Sequence, residues 1–227
     1  SVGLLLGYLS KIEVRMLDAF TTLKISQEQT HLKLDKNSIS ALELTSSNHP
    51  KDHSLFKLLD KNQTAMGSRL LKNQIENPLT DINQINERLN YVEALNQNYN
   101  QRINLTEAFK GVYDLKRITS RIASLNSSPK DLSQLKLTLS KIPYIIEALL
   151  AYHSDNLTKY AQEINPHTLL FETLDKAVVN DPPLIIKDGG IFKKGYHAEL
   201  DELRDAEKHG KKWIATFESE EREKTGI

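Results

Sequence analysis

Ser128-Pro129-Lys130-Asp131-Leu132-Ser133-Gln134-Leu135-Lys136-Leu137-Thr138-Leu139-Ser140-Lys141-Ile142-Pro143 is the stretch that decides the fold class. A capping hydroxyl stands before a proline at the first helical position, where the missing N–H is not needed. A carboxylate follows in the first turn, at the positive end of the helix dipole. Behind this start Leu132, Leu135, Leu139 and Ile142 recur at intervals of three and four and mark one face of a helix. Pro143 lacks the N–H that would continue the ladder, so it is expected to kink or restart the helix.

The same spacing extends outward in both directions. Thr80-Asp81 offers N-cap oxygens, and Ile82, Ile85, Leu89, Val92 and Leu95 form one face of a helix reaching roughly to Tyr99. Further helices are predicted at about 54–60, 65–76, 101–109, 113–125, 144–152, 155–163 and 168–178. Residues 21–52 are less regular and leave room for one or two extended stretches. The fold class that follows is all-α, mainly helical with at most one or two short strands: an irregular multi-helix core with a long protruding helix.

That long helix comes last. Asn180-Asp181-Pro182-Pro183-Leu184-Ile185-Ile186-Lys187-Asp188-Gly189-Gly190 combines turn residues with a β-branched run and predicts an ordered connector. From Tyr196 to about Thr225 no proline intervenes, and a helix of about 30 residues spans about 45 Å. Its candidate packing residues are Tyr196, Leu200, Leu203, Ile214 and Phe217, on a 4-3 rhythm broken by Glu207 and Gly210. A stripe interrupted in this way is not a self-sufficient coiled coil and reads as half of a helix pair.

Composition removes several classes of function. Lys plus Arg equals Asp plus Glu at 30 each, so the global charge favours neither nucleic acid nor an acidic membrane surface, and any DNA contact must be local. Cysteine is absent, which excludes disulfides and thiolate metal sites. The 39% hydrophobic content is enough for a core, while a mean hydropathy of -0.47 suits an elongated helical protein. No apolar run approaches 18 residues and no secretory pattern is visible, so no membrane association and a cytoplasmic location are expected. The chain begins inside an apolar helix-like run, Val2 to Leu9, and stops at Thr225-Gly226-Ile227; both ends read as cuts through a longer polypeptide.

A search for chemistry assigns no catalytic, cofactor-binding or metal-binding residue. Gly190-Ile191-Phe192-Lys193-Lys194-Gly195 has the glycine spacing of a phosphate loop, but Tyr196-His197 replaces the Lys-Ser or Lys-Thr that would meet the phosphates, which favours a turn. His49 and His53 are four apart, yet Pro50 disfavours a helix there and no third ligand is evident. Glu199, Asp201, Glu202, Asp205 and Glu207, set among Arg204, Lys208, Lys211 and Lys212, read as a solvated helix face.

Lys208, Lys211 and Lys212 are candidate DNA-backbone contacts, with Trp213 able to stack on a base. Trp213 packing beside Ile214 and Phe217 is the favoured alternative, because Glu207 and Glu218 flank the patch. The Arg69, Lys72 and Lys116, Arg117, Arg121 clusters read as rims of core helices.

Several stretches, taken in order, resemble the MutS family of DNA mismatch-recognition proteins. They are Leu42-Glu43-Leu44, Ser54 to Asp60, Thr64-Ala65-Met66-Gly67-Ser68-Arg69-Leu70-Leu71 and Asn77-Pro78-Leu79, then Tyr113 to Ile118, Ser120 to Ala123, Ser128 to Leu132 and Asp181-Pro182-Pro183. The most specific is Lys187-Asp188-Gly189-Gly190-Ile191-Phe192-Lys193-Lys194-Gly195-Tyr196, continued by Glu199 to Arg204, and Glu221 to Ile227 closes the chain. Gln74 and Ser40-Ala41 depart from the family pattern. Physical roles are readable beside the resemblance: Met66-Gly67 would let two helices approach, Asp114 would cap the helix carrying Arg117 and Arg121, and Gly189-Gly190 would take the positive φ values that aim the long helix.

The resemblance implies a division into 1–20, the end of a connector domain; 21–195, the core domain; and 196–227, a lever helix ascending toward a DNA clamp. In that family a Phe-x-Glu mismatch reader and an ATPase lie in other domains, so ATP and Mg2+ would belong to the parent protein and this fragment would not be an enzyme. The implied partners are mismatched duplex DNA, the other MutS domains, a second MutS subunit and, downstream, MutL, with nucleoid association when on DNA. A stand-alone helical adaptor that binds a partner protein through the 196–217 stripe is the alternative.

Overall fold

Local capping sets most helix starts in the computed structural model, which describes residues 2–12, 31–47 and 52–225. Side-chain oxygens of Asp35, Ser54, Thr64, Asp81, Asn98 and Asp114 accept backbone N–H groups at the starts of α2 (Lys36–Ala41), α3 (Leu55–Leu59), α4 (Ala65–Glu76), α5 (Ile82–Asn96), α6 (Tyr99–Ala108) and α7 (Leu115–Ala123). α1 (Val2–Ile12) precedes them. The Ser128 start of α8 (Pro129–Leu150) is a full capping box: Ser128 Oγ accepts from Asp131 N, and Asp131 Oδ2 accepts from Ser128 N at 2.9 Å. α9 (Asp155–Glu163), α10 (Thr168–Ala177), a 3-10 turn at Ile186–Asp188 and α11 (Ala198–Thr225) complete the order.

Among the described residues there is no sheet. Extended pairing is confined to two isolated antiparallel bridges, His31 with Leu79 and Val178 with Phe192. The fold is therefore all-α, as the periodicity predicts. The irregular region contributes α2, which has too few apolar residues to show a helical period, while 21–30 and 48–51, including His49, lie outside the described residues. So does the expected connector boundary near residue 20.

α8 is the spine. Leu135 and Leu139 on its first half pack with Ile118 of α7, and Leu115, Ile122, Phe171 and Leu174 close over them. Leu149 on its second half packs with Leu105 of α6 and with Leu157 and Ala161 of α9, covered by Tyr91 and Leu95 of α5. Burying side chains of this size contributes roughly 1.5–3 kcal/mol each before entropy is charged against it.

The helix does not restart at Pro143, and the predicted 144–152 helix is the continuation of α8. One proline removes a single hydrogen bond, a cost of about 3 kcal/mol. Both flanks are held by packed clusters and Pro143 itself is exposed, so tertiary packing outweighs the local preference.

Two further local expectations need correction. α7 stops two residues before the predicted 125, because Leu125 turns left-handed (φ 55). Asn126 N donates to Arg121 O and Leu125 N to Ile122 O, a Schellman closure built without the usual glycine. The tightest neighbours of Gly67 are local: a Cβ there would meet Asn62 Oδ1 at 2.9 Å and the capping Thr64 Oγ1 at 3.2 Å, so the glycine makes room for the turn that starts its own helix.

Candidate functional site

The structure places its least expected chemistry where the core meets the base of α11. Lys136 lies one position beyond Leu135 on α8, at the edge of the apolar face, and is only 3% exposed. Its Nζ donates to Val178 O at 3.1 Å and to Asn180 Oδ1 at 2.8 Å, and lies 3.5 Å from Asp175 Oδ1. A buried ammonium survives only with such partners, because desolvation would otherwise favour its neutral form. The cation therefore ties α8 to the end of α10 and to the connector.

The connector passes this anchoring on to α11. Val179 N donates to Ile191 O at 3.0 Å and Lys193 N to Ala177 O at 2.8 Å, which clamps the two ends of the connector side by side. Lys193 Nζ donates to Asp175 O at 2.5 Å and stands 3.4 Å from Asp175 Oδ1. Lys193, and after it Lys136, hold the Asp175 carboxyl below the usual carboxylate range.

The carbonyl of Phe192, the residue before Lys193, accepts from Arg204 NH2 of α11 at 3.1 Å. Arg204 NH1 stands 3.4 Å from Asp201 Oδ1, and Asp201 Oδ2 accepts from Gly195 N at 2.6 Å. Phe192 and Tyr196 stack at 5.9 Å. The glycines permit the turns: Gly189, Gly190 and Gly195 have φ 68, 69 and 87, in open surroundings, so conformation rather than space requires them.

Polar contacts thus tie α8 to Asp175 and Lys193, and across the adjoining peptide bond the Phe192 carbonyl carries the connection to Arg204 and Asp201. The expectation that Asp201 and Arg204 belong to a solvated face is corrected: their side chains are largely covered, whereas Glu199, Glu202, Asp205, Glu207 and Lys208 are exposed. Within Gly190 to Gly195 the turn lies at Lys194-Gly195, while Phe192 is extended and bridged to Val178.

The candidate packing residues sit as follows. Tyr196 precedes α11, Leu200 is half-buried at its base, and Leu203, Ile214 and Phe217 are exposed, Leu203 at 63%. Trp213 stacks on Phe217 at 5.5 Å between ring centroids while remaining 66% exposed. The side chains of Lys211 and Lys212 lie outside the described residues. Among the described residues no three His, Asp or Glu side chains converge as a metal site, and no helix is long and apolar enough to cross a membrane.

Lys136, Asp175 and Lys193 escaped the sequence reading, because their partners are carbonyls and carboxylates far away in the chain. The one available signal was a lysine bordering the apolar face of α8, whose other lysines are the exposed Lys130 and the half-buried Lys141.

A family model described as MutS domain III matches residues 37–225, which contain the whole of this joint. The chain belongs to the MutS family. It is 40% identical over 225 residues to the DNA mismatch repair protein MutS of Oceanobacillus iheyensis, covering 98% of this chain and 26% of that protein. It is 42% identical over 229 residues to that of Listeria monocytogenes, covering 100% and 27%, and 40% identical over 222 residues to that of Bacillus subtilis, covering 97% and 26%. The chain spans about a quarter of the length of the MutS relatives it matches.

Proposed function

We propose that this chain is the core and ascending lever of a mismatch-recognition protein, with residues 21–195 as the core and 196–227 as the lever. In the intact protein it would couple ATP state to the grip on mismatched duplex DNA. The observation that carries this reading is the joint: α11 projects from a base fixed by Arg204, Asp201 and Gly195, and that base is connected by polar contacts to the buried Lys136 of the core spine. A rigid base converts rotation of the core into displacement along a helix of 28 residues, about 42 Å long. The apolar side chains exposed along α11 support a second element laid against it.

In this reading the chain does no chemistry of its own. ATP and Mg2+ act elsewhere in the parent protein, which works in the cytoplasm with a second MutS subunit and MutL. Alanine at Leu200, Leu203 or Phe217 of the intact protein is expected to slow nucleotide-driven release from mismatched DNA by about tenfold, a loss of roughly 1.4 kcal/mol of coupling, while ATP affinity stays within about twofold. Stopped-flow release and nucleotide binding measured on the same variants test this. Normal release from DNA by all three variants would refute it.

A further inference from the structure

The side of α7 opposite its core face carries a second feature. Ile118 is buried against α8 and α10, with Leu115 and Ile122 beside it. The outward side, with Arg69 of α4, lines a cleft of about 390 Å³ whose walls are Arg69, Lys116, Arg117, Ser120 and Arg121. These are four cations and a hydroxyl, with no carboxylate and no aromatic ring in the lining.

Two of the cations are held in place from behind. Asp114 receives both terminal nitrogens of Arg69, one of them at 2.8 Å, and also caps α7 through Arg117 N at 3.2 Å. Asp131 receives Arg121 Nε at 3.1 Å and Arg121 NH2, while its Oδ2 also serves the α8 capping box. Each guanidinium carries five N–H donors, so these bonds fix its plane without exhausting it. The two carboxylates balance Arg69 and Arg121, which leaves Lys116 and Arg117 as a local excess of positive charge in a chain with no net charge. Arg117 stands 3.5 Å from the already engaged Asp114.

We infer that this cleft is a binding site for a phosphate-class oxyanion. Oriented guanidiniums match the planar forks that phosphate accepts, and Lys116 supplies a mobile point charge. The absence of aromatic lining means that recognition would fall on the phosphate and not on a nucleobase. Free phosphate and the phosphates of a nucleic-acid backbone share this chemistry.

Orthophosphate titrated into the isotope-labelled protein at constant ionic strength is expected to shift the amides of Ser120 and Arg121 saturably. Lys116→Glu with Arg117→Glu should weaken that binding by at least about tenfold. The neutral pair Lys116→Gln with Arg117→Gln should weaken it in the same direction, with Arg69–Asp114 and Arg121–Asp131 intact. Lys159→Glu with Lys176→Glu, remote exposed positions, should change it by less than about twofold. A short duplex that displaces orthophosphate and loses affinity in the Lys116 and Arg117 variants identifies a backbone as the source; a duplex indifferent to them identifies free phosphate. Both results support the site. Non-saturable shifts, or equal weakening by the remote pair, would overturn it.

Discussion

Lys136→Met is expected to destabilise the protein by about 1–3 kcal/mol, even though it removes a buried charge and nearly preserves volume. Relief of lysine desolvation works in favour of the variant. Against it stands Val178, itself only 1% exposed, whose carbonyl loses the donor at 3.1 Å, together with Asn180 Oδ1, which loses the one at 2.8 Å. The second effect should win, because an unsatisfied buried carbonyl keeps its full desolvation cost. Asp175 retains Lys193 and remains half-exposed, so it adds little. Urea denaturation measures the loss, and amide exchange locates it: Val179 and Lys193, the donors of the connector clamp, should exchange faster than amides of the Leu105 and Leu149 cluster. A Lys136→Met variant as stable as the parent would mean that the buried ammonium is dispensable.

Asp131→Ala should cost more, about 3 kcal/mol, because one carboxylate serves two purposes. It completes the capping box of the spine helix and it pairs with Arg121 of α7. The Arg121 guanidinium, followed by the Ser128 contacts, lowers its pKa from 3.8 to about 2. A depressed carboxylate contributes stability that is fully present above its unfolded value and is lost as pH falls through the folded one. The Asp131 contribution should therefore fade between about pH 4 and pH 2, by roughly 2 kcal/mol in all. Asp114 and Asp175 move in the same direction, so the parent alone cannot isolate it. The difference in stability between parent and Asp131→Asn, followed by denaturation from pH 6 to pH 2, should shrink over that window. A difference independent of pH would contradict the pairing.

Asp131 and Lys136 mark the two extremes of what the sequence revealed. Asp131 was legible as a first-turn carboxylate behind a capping serine, and Asp81 and Asp114 as caps, because these contacts join residues two or three apart. Helix faces were legible because burial on α8 repeats with the turn. The end of α7 was not, since Leu125 takes a conformation that sequence rules reserve for glycine, and the continuity of α8 through Pro143 was not, since it depends on clusters assembled from five other helices.

The joint was the least legible part. Lys136 bonds to atoms 42 and 44 residues away, and a lysine on a helix reads by default as a solvated charge. Asp201 and Arg204 follow i,i+3 spacing, which looks the same on a free surface and at a hinge. The long final helix was legible from its proline-free stretch, but it was the geometry that identified which side chains hold its base.

The proposed coupling requires that base to be rigid. Because the protein contains no cysteine, spin labels can be introduced at Tyr144→Cys on α8 and Glu202→Cys on α11, both exposed, without removing native thiols. The distance between them, measured by pulsed electron paramagnetic resonance with intact polar contacts, should form one narrow distribution. With Arg204→Ala, which releases Phe192 O and Asp201, it should broaden or divide while helix content is unchanged. A distribution in the Arg204→Ala variant that superimposes on the parent would contradict the claim that this joint fixes α11 to α8.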